Sequence, residues 1–269
     1  KYDIPDSTPW VTFGGSYPGM LAAISHQTHP ELIYATVCSS APLEASVAMP
    51  GYNEIIGQAY KTELVGGSQQ CFDIIQNSHN KIGELLKNAE GRRQLETDFN
   101  VCGGQGALDN ELNQAMFASS GVVYLPGQGN DPACTSSLCN IEKVCSYMID
   151  SQNEGKSDYD TMVSLNNKMS SACKLVQHSA EVSAFMIPSS PSRVWEYQTC
   201  SEWGFYMTCE SNDCPFVQGL PALEAALDIC KHAFNIDSDM VTSNIAKANE
   251  RYGGLNFISV FPYKLRFVL

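Results

Sequence analysis

Hydrophobic and polar positions follow two different periods along the chain. In the first 43 residues, the apolar runs PWVTF (9–13) and IYATV (33–37) are typical of buried strands. Between them, PGMLAAISHQ (18–27) is typical of a helix, with Pro18 suited to its first turn. The order strand, turn, helix, strand is that of a βαβ unit, so this region predicts part of a parallel sheet.

From about residue 44 the apolar positions recur at helical spacing. A helix over 71–91 would place five side chains on one face: Phe72, Ile75, His79, Ile82 and Leu85. Gly91 stands where such a helix would stop. Further helices are predicted at 108–118, 141–150, 159–176, 221–234 and 240–251, with polar, Gly-rich loops such as 126–137 between them.

These patterns together predict an α/β protein with three regions. Residues 1–43 carry part of a sheet, 44–250 form a large, mainly helical insertion or cap, and 251–269 begin the return to the sheet domain. The chain has 269 residues, 43% of them hydrophobic, which is enough for a sizeable core. No apolar run reaches the roughly 18 residues of a membrane helix, so no membrane partner is expected. A formal net charge of -13 argues against nucleic acid as a partner.

Eleven cysteines are many for a chain of this size. Ten lie from Cys71 onward, which indicates a disulfide-rich region and an oxidising compartment. Zinc binding is the alternative, because Cys134/Cys139 and Cys209/Cys214 each have four residues between them. No Cys-x-x-Cys motif or nearby histidine pair supports it, so neither a metal nor a cofactor is predicted.

The hexapeptide Gly14-Gly15-Ser16-Tyr17-Pro18-Gly19 lies between the first predicted strand and helix. Gly14, Ser16 and Gly19 fit a nucleophile elbow in which Pro18 replaces the second glycine of G-x-S-x-G. Such an elbow needs small neighbours, because the helix packs close to the strand and lifts the serine hydroxyl above the sheet. The backbone N–H of Tyr17 could then donate to an oxyanion. A Gly-rich turn with Ser16 as a simple helix cap is the structural alternative.

A nucleophilic serine needs a general base, and none of the five histidines is convincing. His26, ten residues beyond Ser16 on the same predicted helix, would lie roughly 15 Å away. His29 is farther, His79 lies on an apolar helix face, His178 ends a polar helix, and His232 points to solvent. After the helical region, the last 15 residues contain no Asp or His. The acid and the base are therefore expected to be missing from this chain.

Nearly the whole chain, up to about Phe257, resembles the lysosomal prolyl carboxypeptidase and dipeptidyl peptidase II family of serine exopeptidases. FGGSYPGMLAA (13–23) resembles that family's elbow, and SSAPLEA (39–45) the strand end that follows it. FNVC, VWEYQTCSEWG and ERYGG resemble landmarks of its helical cap, in the family's order. In the family, the Tyr-Gly-Gly landmark leads to an acid-bearing strand, but here the pattern fails after RYGGLNF (251–257). We therefore expect the middle of such an enzyme, with its last dozen residues out of the family's frame.

The resemblance implies an α/β-hydrolase fold and hydrolysis after proline near a chain end, through an acyl-enzyme on Ser16. It implies peptide substrates with proline near a terminus, a lysosomal, vacuolar or secreted location, and a homodimer for the complete protein. Met20 and Phe205 match positions of the proline pocket, although such side chains also occur in plain cores. Glu202 matches a position that could hold a charged substrate end, or is a structural carboxylate.

By position, the resemblance also implies three disulfides: Cys71–Cys145, Cys102–Cys173 and Cys200–Cys230. It leaves Cys134/Cys139 and Cys209/Cys214 as local pairs, and Cys38 as a buried free thiol. Two other functions stay open: an inactive truncated relative or peptide-binding pseudoenzyme, and an esterase on the same scaffold. The 269-residue chain alone is expected to react poorly with serine-directed probes and to be poorly stable, because an isolated βαβ piece leaves sheet edges unpaired.

Overall fold

A computed structural model describes residues 3–119, 121–254, 256 and 265–268, the last four as backbone only. Helices dominate the described part. The strands are β1 (Trp10–Gly15), β2 (Ile33–Ser39), β3 (Ser46–Ala48), β4 (Gly204–Tyr206) and β5 (Leu265–Val268). The helices are α1 (Tyr17–Thr28), α2 (Pro50–Lys61), α3 (Gln69–Leu86), α4 (Ala89–Asp98), α5 (Glu111–Ala118), α6 (Tyr124–Gly129), α7 (Ile141–Asn153), α8 (Asp158–Met169), α9 (His178–Met186), α10 (Pro191–Gln198), α11 (Ala222–Phe234) and α12 (Ser238–Tyr252).

The chain divides into two compact units. The first holds the described residues of Lys1–Val47, Gln198–Gly204 and Asp239–Leu269, and the second holds Ala48–Tyr197 and Phe205–Ser238. The range predicted for the helical insertion, 44–250, therefore includes three stretches of the first unit: 44–47, 198–204 and 239–250. Hydrophobic periodicity could not locate these segments, because it reports which face of a helix is buried and not what covers it.

The first unit contains the predicted βαβ unit. Its three-stranded sheet has the order β1-β2-β5, and both strand pairs are parallel. Helix α1 connects β1 to β2 and packs on them through small residues, with Ala22, Ala23 and Cys38 at its core. Cys38 is 1% exposed and outside any disulfide, as expected. Residues 257–264, on which much of the frame hypothesis rests, lie outside the described part.

Asn249 of α12 links two parts of the first unit that are 204 residues apart in sequence. Its side-chain nitrogen donates to the Ala45 carbonyl at 2.8 Å, and its side-chain oxygen accepts from the Ala45 N–H at 2.8 Å. Trp203 is 4% exposed, and its ring lies 5.8 Å from that of Tyr252. These contacts join the chain before α2 to its segments at 198–204 and 239–254 within one unit.

The second unit is built around α3. Phe72, Ile75, His79 and Ile82 are all buried on this helix, as its pattern predicts, and Leu85 is partly buried. The side chain of Ser68 caps α3 by accepting from the Cys71 N–H at 3.1 Å. Side chains also accept a hydrogen bond from a backbone N–H at the start of four further helices in this unit. They belong to Asn88 for α4, Asn110 for α5, Asn140 for α7 and Ser157 for α8.

Four disulfides are described. Cys71–Cys145 ties α3 to α7, and Cys102–Cys173 joins the segment after α4 to the segment after α8, spanning 74 and 71 residues of sequence. These are two of the pairs that the family resemblance implies. Cys134–Cys139 and Cys209–Cys214 are local bridges, so these four cysteines bind each other rather than zinc. Cys200 and Cys230 are disulfide-bonded as well, and their pairing with each other stays a prediction.

Several predicted element boundaries are wrong. Gly91 does not end a helix but lies inside α4, where a Cβ would come within 2.2 Å of the Leu85 carbonyl oxygen. The helix predicted at 159–176 ends at Met169, and His178 begins α9 instead of ending a helix. Part of the predicted loop 126–137 belongs to α6, and β3 and β4 are strands that the helical pattern missed. Within the described part of the chain, no helix is long and apolar enough to span a bilayer.

Candidate active site

Ser16 lies at the junction between β1 and α1, in a backbone conformation that is rare for a non-glycine residue. Its φ is 56° and its ψ is -130°. Its N–H donates to the Ser39 carbonyl at the end of β2, at 2.9 Å, and its carbonyl accepts from the Met20 N–H at 3.1 Å. Ser16 is exposed, and its hydroxyl makes no capping hydrogen bond. Ser16 is therefore not a side-chain cap but an exposed residue at a sharp strand-to-helix bend.

Two glycines allow this bend because α1 almost touches β1. A Cβ on Gly14 would lie 2.1 Å from the Pro18 carbonyl oxygen. A Cβ on Gly19 would lie 3.0 Å from the Gly14 carbonyl oxygen and 3.1 Å from that of Ser39. Gly15 differs, since the nearest atom to its Cβ position is 3.8 Å away. Gly14 and Gly19 are thus required by close backbone approach, as the elbow pattern predicts.

Tyr17 begins α1, so its backbone N–H belongs to the first turn, at the positive end of the helix dipole. Its side-chain hydroxyl donates to Oε1 of Gln198, the residue before the π-helical turn Thr199–Trp203. Burial raises the pKa of the Tyr17 phenol, and the negative charge of Glu202 raises it further. The phenol is therefore held neutral, as a hydrogen-bond donor to Gln198, and Glu202 lies within electrostatic range of the elbow.

The three residues proposed for substrate contact lie in different settings. Met20 is 1% exposed, so its side chain is part of the core beneath α1. Phe205 belongs to β4, in the second unit, is partly buried and has a φ of 67°. Glu202 is exposed in the π-helical turn of the first unit. Their roles toward a substrate stay predictions.

Each histidine contacts residues other than Ser16, and none forms a hydrogen bond with it. Nδ1 of His26 contacts the Ile33 carbonyl at 2.8 Å, at the amino end of β2, whereas Ser16 lies at the carboxyl end. His29 pairs with Glu31 at 3.5 Å on the surface. Within the part of the chain that the structure describes, Ser16 has no partner that could serve as its base.

The histidines of the second unit serve its packing and its surface. His79 is 1% exposed, with Nδ1 2.8 Å from the Ile75 carbonyl, and burial lowers its pKa to about 4. His178 is 5% exposed and contacts the Ala225 carbonyl through Nε2 at 2.9 Å. His232 has a side chain that is 56% exposed and lies 3.2 Å from Asp228, so it faces solvent as predicted.

Sequence reasoning missed Gln198 and Ser39. Gln198 is 181 residues from Tyr17, and no local pattern reports a contact over that distance. Ser39 could have been found, because parallel pairing of the two predicted strands brings their carboxyl ends together.

Comparison with known proteins finds a matching family and several relatives of the chain. The profile of the family described as serine carboxypeptidase S28 matches residues 1–260. The chain is 32% identical to the thymus-specific serine protease of Homo sapiens, over 94% of this chain and 51% of that protein. It is 24% identical to a probable extracellular serine carboxypeptidase of Arthroderma benhamiae, over 95% of this chain and 39% of that protein. It is also 30% identical to the lysosomal Pro-X carboxypeptidase of Bos taurus, over 34% of this chain and 18% of that protein.

The chain thus spans about half the length of the thymus-specific proteases that it matches. The match covers the elbow and both units, and it confirms the family that the sequence motifs indicate. The chain belongs to the serine carboxypeptidase S28 family.

Proposed function

We propose that the complete protein containing this chain is a serine exopeptidase that hydrolyses peptide bonds after proline near a chain end. The observation that carries the proposal is the geometry of Ser16: an exposed residue whose side chain makes no capping bond, held at a φ of 56° between a strand and a helix. A simple helix cap needs no such strain. Strain of this kind persists where the surrounding structure enforces it, and it concentrates at functional sites.

In the proposed reaction, Ser16 Oγ attacks the peptide carbonyl carbon and its proton passes to a base. The C–N bond breaks as the leaving amine takes a proton, and an acyl-enzyme remains. Water then attacks the ester, and the Ser16 hydroxyl is restored. The Tyr17 backbone N–H, at the start of α1, would donate to the oxyanion. The base and its acid partner would come from outside the described residues.

Preference for proline is proposed on two grounds. The first is the name of a relative, lysosomal Pro-X carboxypeptidase. The second is the family resemblance, which matches Phe205 to a residue that contacts proline; Met20, matched to another such residue, is buried in the core of the first unit. The proline nitrogen has no N–H to bind, so recognition of its ring depends on apolar packing. We also propose a lysosomal or extracellular location, supported by the names of two relatives and by the disulfides. We further propose that the second unit forms the cap and that the complete protein is a homodimer.

Labelling with a fluorophosphonate probe tests the proposal, because only an activated serine reacts with it. The full-length protein should label, and its Ser16→Ala variant should not. The same protein should cleave peptides with proline before the scissile bond faster than a matched peptide with alanine there. Rapid labelling with hydrolysis of lipid esters alone would favour the esterase, and absence of labelling in the full-length protein would favour the inactive relative.

A further inference from the structure

A small recess in the first unit has no role in the chemistry above. Its volume is about 160 Å³, and it lies between the π-helical turn Thr199–Trp203 and helix α12. Glu202 lines the side of the turn, and Asn244, Lys247 and Arg251 line the side of α12. The last three are spaced at i, i+3 and i+7, so they share one helix face. The recess therefore gathers two cations, a carboxylate and an amide.

Lys247 and Arg251 are exposed residues, and the described part of the chain gives neither of them an anionic partner. Within the described part of the chain, neither Lys247 nor Arg251 forms an ion pair, and Arg251 only lies 5.3 Å from the ring of its neighbour Tyr252. Acidic residues outnumber basic ones by 29 to 16, so carboxylates to pair with were abundant. Like charges at i and i+4 on a helix repel each other, and a bound anion would offset that repulsion.

The walls of the recess are held firmly. The Trp203 ring lies against Tyr252, and a Cβ on Gly204 would come within 2.7 Å of Ile245 Cδ1, so the turn packs tightly on α12. The backbone that carries the charged side chains is therefore fixed, so the ordering cost of binding falls mainly on the side chains themselves.

One wall of the recess is linked to Tyr17, the first residue of α1. The charge of Glu202 acts on the phenol of Tyr17, the residue after Ser16. The same phenol donates to Gln198, which immediately precedes the turn that carries Glu202. These two contacts connect the wall of the recess that carries Glu202 to the residue that follows Ser16.

We propose that this recess binds the α-carboxylate of the substrate's C-terminal residue through Lys247 and Arg251. Arginine and lysine form strong charge-assisted hydrogen bonds with carboxylates. A free amine would be repelled by both cations, and Glu202 disfavours an acidic side chain on the terminal residue. The inference rests on the proposed peptidase function and deepens it, because it assigns a carboxypeptidase rather than a dipeptidyl peptidase.

Binding to the full-length Ser16→Ala protein tests the recess without any turnover. The ligands are N-acetyl-Ala-Pro-Phe with a free carboxylate and the same peptide as its amide. We expect the acid to bind roughly tenfold more tightly than the amide, and Lys247→Met with Arg251→Met to remove that preference. Lys231→Met, an exposed lysine of α11 in the second unit, is the matched control and should keep it.

Turnover by the protein with Ser16 intact gives the second readout. The ratio of kcat/KM for the acid over the amide should fall roughly tenfold in the double methionine variant and stay unchanged in the control. Equal binding of acid and amide would overturn the proposal, as would an equal loss of preference in Lys231→Met. So would faster hydrolysis of an Xaa-Pro amide with a free amino terminus than of the acid. If no peptide is cleaved and Ser16 does not label, the proposed function fails, while the binding measurement still decides the recess.

Discussion

Replacing Gly14 with alanine should damage the elbow directly. The added Cβ would lie 2.1 Å from the Pro18 oxygen, 2.3 Å from the Pro18 carbonyl carbon and 2.6 Å from the Gly19 nitrogen. Favourable contacts begin near about 3.5 Å, so the overlap exceeds roughly 1 Å. All three atoms are backbone atoms, so no side chain can rotate away, and β1 and α1 must separate by a similar distance.

The expected size of the effect follows from that displacement. Overpacking costs about 1–3 kcal/mol, and a clash with three backbone atoms belongs at the upper end of this range. For a domain of this size, about 3 kcal/mol corresponds to a fall in Tm of roughly 6–12 °C. A shift of about 1 Å at the nucleophile should also slow fluorophosphonate labelling of Ser16 by roughly 100-fold.

Gly15→Ala is the matched control, since its Cβ would meet nothing closer than 3.8 Å. Its free energy of unfolding should change by no more than about 0.5 kcal/mol, and its labelling rate should stay close to that of the unmodified protein. Both variants are measured in the full-length protein by thermal unfolding and by labelling rate. Normal labelling of Gly14→Ala, together with a Tm within about 2 °C of that of the unmodified protein, would contradict the expected backbone clash. Equal damage by Gly15→Ala would refute it too, because loss of glycine flexibility would then be the cause.

Three further predictions concern the elbow and the core. Ser16→Gly should abolish labelling yet raise stability by about 1 kcal/mol in thermal unfolding, because glycine relieves the backbone strain; a lower Tm would contradict this. Tyr17→Phe and Gln198→Leu should each slow labelling, and the double variant should be no slower than either, whereas additive effects would mean that the two side chains act separately. His79 has a pKa lowered to about 4, so its protonation opposes folding: stability present above pH 6.5 is lost as pH falls toward 4. Urea unfolding should show a loss of about 3 kcal/mol at pH 4 that His79→Gln removes, and equal pH profiles would contradict it.

Local sequence patterns predicted the elbow well. The spacing of Gly14, Ser16 and Gly19 between an apolar run and a helix indicated a sharp bend, and the close backbone contacts supply the physical reason. Burial of Phe72, Ile75, His79 and Ile82 followed from helical periodicity in the same way. Both depend on residues near one another in sequence, whose spacing sets the local geometry.

Features that depend on distant residues could not be predicted from these patterns. The Tyr17–Gln198 bond joins positions 181 residues apart, and neither side chain belongs to a periodic pattern. The end of α3 was placed wrongly because Gly91 was assigned a local role as a helix stop. The glycine is instead required by the approach of α4 to the Leu85 carbonyl. The role of Gly91 was thus set by packing between two helices, which the local sequence pattern does not report.

The paired hydrogen bonds between Ala45 and Asn249 have a consequence for biosynthesis. A ribosome adding about 5–20 residues each second needs roughly 10–40 s to travel between these two positions. During that interval β1, α1 and β2 have emerged without α12, while every cysteine of the Cys71–Cys145 and Cys102–Cys173 bridges has already been made. Oxidation of those cysteines can therefore precede completion of the nucleophile-bearing unit, and an interrupted translation product would retain a cross-linked helical unit and an unfinished sheet.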